Sequence, residues 1–115
     1  MSIKITFHNM SHSDPMEAHA NEKLEKLTEL VGNSDGSHPF RIELWLKANK
    51  QHPHHAAELH LRSAHYDLNA HDEGTDMYAV IDTTIDKMVG LLKKEKRRFM
   101  DKMHKPDTEK KNFYK

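Results

Sequence analysis

Eight basic residues, Lys87, Lys93, Lys94, Lys96, Arg97, Arg98, Lys102 and Lys105, fall within nineteen positions whose acids are Glu95 and Asp101 alone. A segment of net charge +6 suits a polyanion, because Lys and Arg spaced by one or two helical turns meet successive phosphates. The same run also reads as a solvated helix face, with cations favoured near a helix C-terminus by the macrodipole. The rest of the chain weighs toward a binding site. Across all 115 residues, 18 basic and 18 acidic side chains cancel, yet residues 1–76 hold 7 basic against 12 acidic, a net of −5. Residues 77–86 add −2 through Asp82 and Asp86, and 106–115 add +1. Such asymmetry points to a polyanionic partner.

Other residue groups offer weaker chemistry. Lys23 and Lys26 stand among Glu17, Glu22, Glu25 and Glu29, where surface pairing along a helix is the plain reading. They matter for binding only if the fold sets them beside the basic run. Of 11 histidines, His52, His54, His55, His60, His65 and His71 lie within twenty residues. A metal site needs three or four converging ligands, and the sequence has no His-Glu-x-x-His pattern and no cysteine. Polar decoration of a solvated sheet face is the favoured reading, with no metal and no cofactor. A milder role is added positive charge on acidification, since an unperturbed imidazole titrates near pH 6.5. Asp82 and Asp86, four apart, suggest either a divalent-ion pair or, better, favourable charge early in a helix. Trp45 and Tyr66 are candidate base-stacking rings, Trp45 on an open sheet face and Tyr66 more at home in the core. No nucleophile elbow, phosphate loop or paired-carboxylate motif is present, and 4 glycines leave little for a phosphate cradle. No catalytic residue is expected.

The elements that must carry these residues follow from periodicity. Residues 3–7 alternate as a half-buried strand does. Asp14-Pro15 reads as a helix start, with Asp14 as N-cap. Met16, Ala20, Leu24, Leu27 and Val31 then form one helical stripe, with a C-terminal cap expected at Gly32-Asn33. Phe40, Ile42, Leu44, Leu46 and Ala48 alternate against Arg41, Glu43, Trp45 and Lys47. Ala57, Leu59 and Leu61 make a third strand, and Tyr66, Leu68 and Ala70 a fourth. Residues 62–65 between them form a short hairpin connection without a marked turn pair, so the register is open there. Thr75 or Asp76 caps a second helix. Its stripe runs through Met77, Ile81, Thr84, Ile85, Met88, Leu92, Phe99 and Met103, nearly to Pro106. Such a helix spans ~43 Å, against ~20–23 Å for strands of this length, so its basic half overhangs the sheet. With Ile81 at the centre of the buried face, Lys87, Lys94 and Arg98 fall on one flank and Lys93 and Lys96 on the other. Arg97 lies near the solvent pole.

The order β-α-β-β-β-α predicts an α+β two-layer sandwich, a four-stranded sheet with two helices on one face. Residues 1–105 form the domain, and 106–115 a mobile tail. The first ten residues lack a continuous apolar stretch and no run reaches the ~20 apolar residues of a membrane span, so a soluble cytoplasmic protein is expected.

The stretch Glu73-Gly74-Thr75-Asp76-Met77-Tyr78-Ala79-Val80-Ile81-Asp82, followed by Ile85-Asp86-Lys87 and Leu92-Lys93-Lys94-Glu95-Lys96, closely resembles a known bacterial signature. It is that of the ribosome hibernation promoting factor and ribosome-associated inhibitor family, once labelled sigma-54 modulation proteins. The resemblance covers about residues 1–105 and implies a fold like a double-stranded-RNA-binding domain with an extra first strand. It also implies a binding protein rather than an enzyme. Family members occupy the decoding channel of the small ribosomal subunit, contact 16S rRNA through both helices and block translation. Carried over, the implied rRNA contacts are Lys23, Lys26, Lys87, Lys94, Lys96 and Arg98, to which charge alone adds Lys93 and Arg97. Gly90-Leu91 departs from the family, which often has Arg-Gln there. The chain resembles the short form, without the C-terminal dimerisation domain.

The expected partners are therefore the small ribosomal subunit and the 70S ribosome, with no membrane and no small-molecule substrate, and a free monomer. Two further readings stand beside this one. The first is a protein-interaction module, such as a transcription-associated modulator, working through the acidic body or the open sheet face. The second is a histidine-rich metal binder.

Overall fold

The computed structural model describes residues 2–35, 40–48, 54–63 and 66–104. Six elements follow in order: β1 (Ser2–His8), α1 (Asp14–Asp35), β2 (Arg41–Ala48), β3 (His55–Arg62), β4 (Asp67–Gly74) and α2 (Met77–His104). The strands form one mixed sheet in the order β1-β2-β3-β4, β1 parallel to β2 and the other pairs antiparallel. The expected β-α-β-β-β-α sandwich is the fold.

Alternation places the apolar set on one face, where it registers across the strands. Ile3, Ile42, Leu61 and Leu68 form one row, and Ile5, Leu44, Leu59 and Ala70 the next. The third row, Phe7, Leu46 and Ala57, ends in Asp72 at the β4 edge. Both helices cover this face. Met16, Ala20, Leu24, Leu27 and Val31 of α1 are buried, as are Met77, Val80, Ile81, Ile85, Met88, Val89 and Leu92 of α2. Thr84 is buried among them, its hydroxyl donating to the Val80 carbonyl at 2.7 Å. Tyr66 sits in the core just before β4, as expected, while Trp45 is half-buried on the opposite face.

Helix boundaries differ in detail from the expectation. The cap of α1 is Ser13 rather than Asp14: its hydroxyl accepts from the Met16 N–H at 3.3 Å, and its carbonyl from the Glu17 N–H at 2.9 Å. A serine one residue earlier outcompetes the Asp-Pro pair, which becomes the first turn. The far end overshoots Gly32-Asn33, and the helix runs to Asp35. For α2 the cap is Asp76, whose carboxylate accepts from the Tyr78 N–H at 3.1 Å. The β3–β4 register is settled by Arg62 facing Asp67, closed by Ser63 N–H donating to the Tyr66 carbonyl at 2.8 Å.

The 28 residues of α2 span ~42 Å, against ~26 Å for the eight-residue strands, so its last turns project beyond the sheet. Among the described side chains of α2, which end at Arg98, Leu92 is the last that is fully buried. The side chains of Phe99, Met103 and Lys102, and residues Lys105 and 106–115, lie outside the described residues. No described helix is long and apolar enough to cross a membrane.

Two substitutions test this arrangement by chemical denaturation. Leu92→Ala should cost about 2–5 kcal/mol, because it opens a cavity where α2 leaves the sheet. Gly90 is exposed, and a Cβ there meets nothing within 4 Å. Gly90→Ala should therefore stabilise the protein by about 1 kcal/mol through helix propensity.

Candidate nucleic-acid interface

Because β1 and β4 point the same way and each helix returns antiparallel to the strand before it, α1 and α2 run side by side in parallel. One polar clasp fixes their rotation. His19 Nε2 of α1 lies 2.7 Å from Asp82 Oδ1 of α2, and the His19 ring packs edge-on against Tyr78 with centroids 5.1 Å apart. Asp82 is thus engaged by a histidine of the neighbouring helix.

The helical period carries the clasp outward to the cations. Lys23 and Lys26 lie within about 40° and 20° of His19 around α1, so both follow the flank that faces α2. Lys93 and Lys96 lie within about 20° and 40° of Asp82 around α2, on the flank that faces α1. The four lysines therefore border one inter-helix seam. Lys23, Lys26 and Lys93 are exposed, and Lys96 is half-buried. None of the four has an ion pair among the described residues.

Lys87, Lys94 and Arg98 occupy the other flank, over the β4 edge. Lys87 Nζ donates to the His71 carbonyl at 3.0 Å and to Asp72 Oδ1 at 3.1 Å, which ties α2 to the sheet. Arg98 pairs with Glu95 at 3.1 Å, one turn back on its own helix. Lys94 and Arg97 are exposed and have no ion pair among the described residues. Of the eight expected contact residues, six thus present a cation without an internal counter-charge, and Lys87 and Arg98 are shared with carboxylates. Sequence alone could not separate these sets, because Asp72 meets Lys87 only through the β4–α2 packing.

On the far side of the sheet, His54 and His60 meet carboxylates in place of each other, while the buried Nδ1 of His55 has no hydrogen-bond partner among the described residues. His54 lies 2.6 Å from Glu73, and His60 lies 2.8 Å from Asp67. The His60 hydrogen bond lowers the Asp67 carboxyl from its ordinary value, against an opposing cost of desolvation and with help from nearby Arg62. Lys47 pairs with Glu58 at 2.9 Å. His52 and His65 fall outside the described residues. The His/Asp/Glu group with ligand-like spacing among the described residues is elsewhere: His12, Asp14 and Glu17 at the start of α1. There both His12 ring nitrogens already face carboxylates, at 3.2 and 3.0 Å, and bridge the first turn.

Three comparisons place this geometry. The family model described as sigma 54 modulation protein / S30EA ribosomal protein matches residues 3–100. A ribosome hibernation promoting factor of Klebsiella oxytoca is 31% identical over 96 residues, covering 84% of this chain and 94% of that protein. The N-terminal domain of Thermus thermophilus Protein Y shares the fold with a TM-score of 0.65 at 21% identity, over 85% of this chain and 99% of that one. A ribosomal subunit interface protein from Coxiella burnetii does so with a TM-score of 0.69 at 21% identity, over 84% and 99% of the two chains. With its motif, its fold and nearly all of its described length accounted for, the chain belongs to the sigma 54 modulation protein / S30EA ribosomal protein family.

Proposed function

We propose that this protein is a ribosome hibernation factor that binds 16S rRNA in the decoding channel of the small subunit. In 30S or 70S particles it would occupy the path of mRNA and tRNA and so inhibit translation in stationary phase or stress. It acts as a binding protein, not an enzyme, in the cytoplasm and as a free monomer, with residues 1–105 as the binding domain and 106–115 as a tail. The observation that carries this reading is the helix layer. Lys23, Lys26, Lys93, Lys94, Lys96 and Arg97 stand on two parallel helices without internal counter-charges among the described residues. The hibernation role of the Klebsiella oxytoca relative supports the same assignment.

The physics of such binding is largely counterion release. Each lysine or arginine that meets a phosphate frees a condensed cation, and a rigid helix pair matches the shape of folded RNA better than any one base sequence. Lys87 and Arg98 contribute in a second rank, since a phosphate must compete with Asp72 and Glu95 for them.

Ribosome pelleting tests the reading. The protein should cosediment with 30S and 70S particles and compete with mRNA or initiator tRNA; failure to cosediment at low salt would reject it. Neutralising Lys93, Lys94 and Arg97 to Gln preserves helix propensity and removes three unpaired charges. The slope of log K against log salt should then become shallower by roughly two to three units. An unchanged slope would reject this face as the phosphate-binding surface.

A further inference from the structure

Beside Lys87 and Lys94, α2 and the β4 edge enclose an open groove of ≈ 470 Å³, within the ~300–1,000 Å³ typical of small-molecule sites. Its floor is apolar, formed by Ala70 and the half-buried Leu91, and its wall on the helix is Gly90, with Asp86 one turn to one side and Lys94 one turn to the other. A side chain at position 90 would project into this space, since a Cβ there meets no atom within 4 Å. Along the opposite wall runs the open edge of β4. The His71 carbonyl accepts from Lys87, so this peptide faces away from β3, and antiparallel alternation turns the N–H and C=O of Asn69 the same way.

We propose that this groove receives one unpaired nucleobase of the RNA held by the cationic arm. The proposal rests on the rRNA-binding reading and adds a recognition element to it. A base is flat and apolar on its faces, which suits Leu91 and Ala70, and carries donors and acceptors on its rim, which suits the N–H and C=O of Asn69 and the N–H of His71, whose carbonyl Lys87 holds. Its own phosphates then fall beside Lys94 and Lys87 at the groove mouth. The blocked edge of β4 favours a nucleotide over a peptide strand. A peptide adding to β4 would need the His71 carbonyl, which Lys87 already occupies, a common means of blunting a sheet edge.

The test compares two probes at fixed low salt: an unstructured oligoribonucleotide of mixed sequence and its abasic counterpart with the same phosphates. The wild-type protein should prefer the base-bearing strand by roughly tenfold, in the range of one well-seated base. Gly90→Leu fills the groove with a good helix former, so the fold is retained. It should reduce that preference to within about twofold while leaving abasic binding and its salt slope unchanged. Gly90→Ala, a methyl group only, should keep the preference. Equal binding of the two strands by the wild type, or a preference that survives Gly90→Leu, would overturn the groove proposal while leaving the cationic arm intact. Loss of ribosome cosedimentation in Gly90→Leu with an unaltered strand preference would also overturn it and assign the groove to a ribosomal protein. Absence of salt-dependent binding to ribosomes and to both strands would overturn the arm and the groove together.

Discussion

A helix longer than the sheet it lies on is the constraint from which the rest of this molecule follows. The apolar seam of α2 is buried to Leu92, and the described side chains beyond it, Lys93 to Arg98, are exposed or half-buried. Side chains past that point must be stable in water on most of the helix circumference. Lys and Arg meet this requirement well, since long charged chains keep their heads hydrated and oppose the negative end of the helix dipole. The overhang therefore both permits a dense cationic arm and holds it away from the acidic body. The principal extents of 56 × 29 × 17 Å express the same asymmetry.

The buried apolar stripe of α2, from Met77 to Leu92, sets the rotation of the helix and with it the direction of the arm. Two polar anchors, one on each flank, reinforce that orientation. His19 holds Asp82 on the α1 side, and the Asp72 carboxylate with the His71 carbonyl holds Lys87 on the β4 side. Each anchor is partly exposed, so neither contributes much stability by itself. Their value is geometric. Together they oppose twisting of α2 in either sense, so the seam lysines and the groove face fixed directions.

Much of this was legible in the sequence because it is written in short periods. Alternation over Ile42, Leu44 and Leu46 and the helical stripe from Met16 to Val31 gave elements, faces and order, since burial repeats every two or 3.6 residues whatever the neighbour. The flanks of Lys87 and Lys93 followed from the same period. Contacts between elements were less legible. Nothing local to Lys87 announces Asp72, and nothing local to His19 announces Asp82, 63 residues away. The helix ends failed for a different reason. Ser13 and Asp14 both satisfy the chemistry of a cap, and Gly32 permits a left-handed turn without demanding one. Gly90 carried a visible cost to the helix in the sequence, but the space it opens exists only once β4 is laid beside it.

The charge balance of zero gains its physical sense at the level of surfaces. On the outer sheet face, Lys47 meets Glu58, His54 meets Glu73, and His60 and Arg62 converge on Asp67. The Lys47–Glu58 and Arg62–Asp67 pairs cancel within a few ångströms, well inside a Debye length of about 8 Å at physiological salt, and project little field. On α2 the acids Asp82 and Asp86 lie near the amino-terminal turns and the unpaired cations Lys93, Lys94, Lys96 and Arg97 toward the carboxyl end, while on α1 Lys23 and Lys26 stand among Glu22, Glu25 and Glu29. A polyanion approaching the molecule thus meets attraction at one end of one layer and repulsion or neutrality elsewhere. That distribution limits the number of productive orientations. It favours a polyanion with a recess able to take the arm end-on over an extended one lying across the body. For the proposed rRNA-binding role, an acidic body attached to a basic arm is in this sense a device for specificity, since the RNA would have to admit the arm without closely approaching the rest.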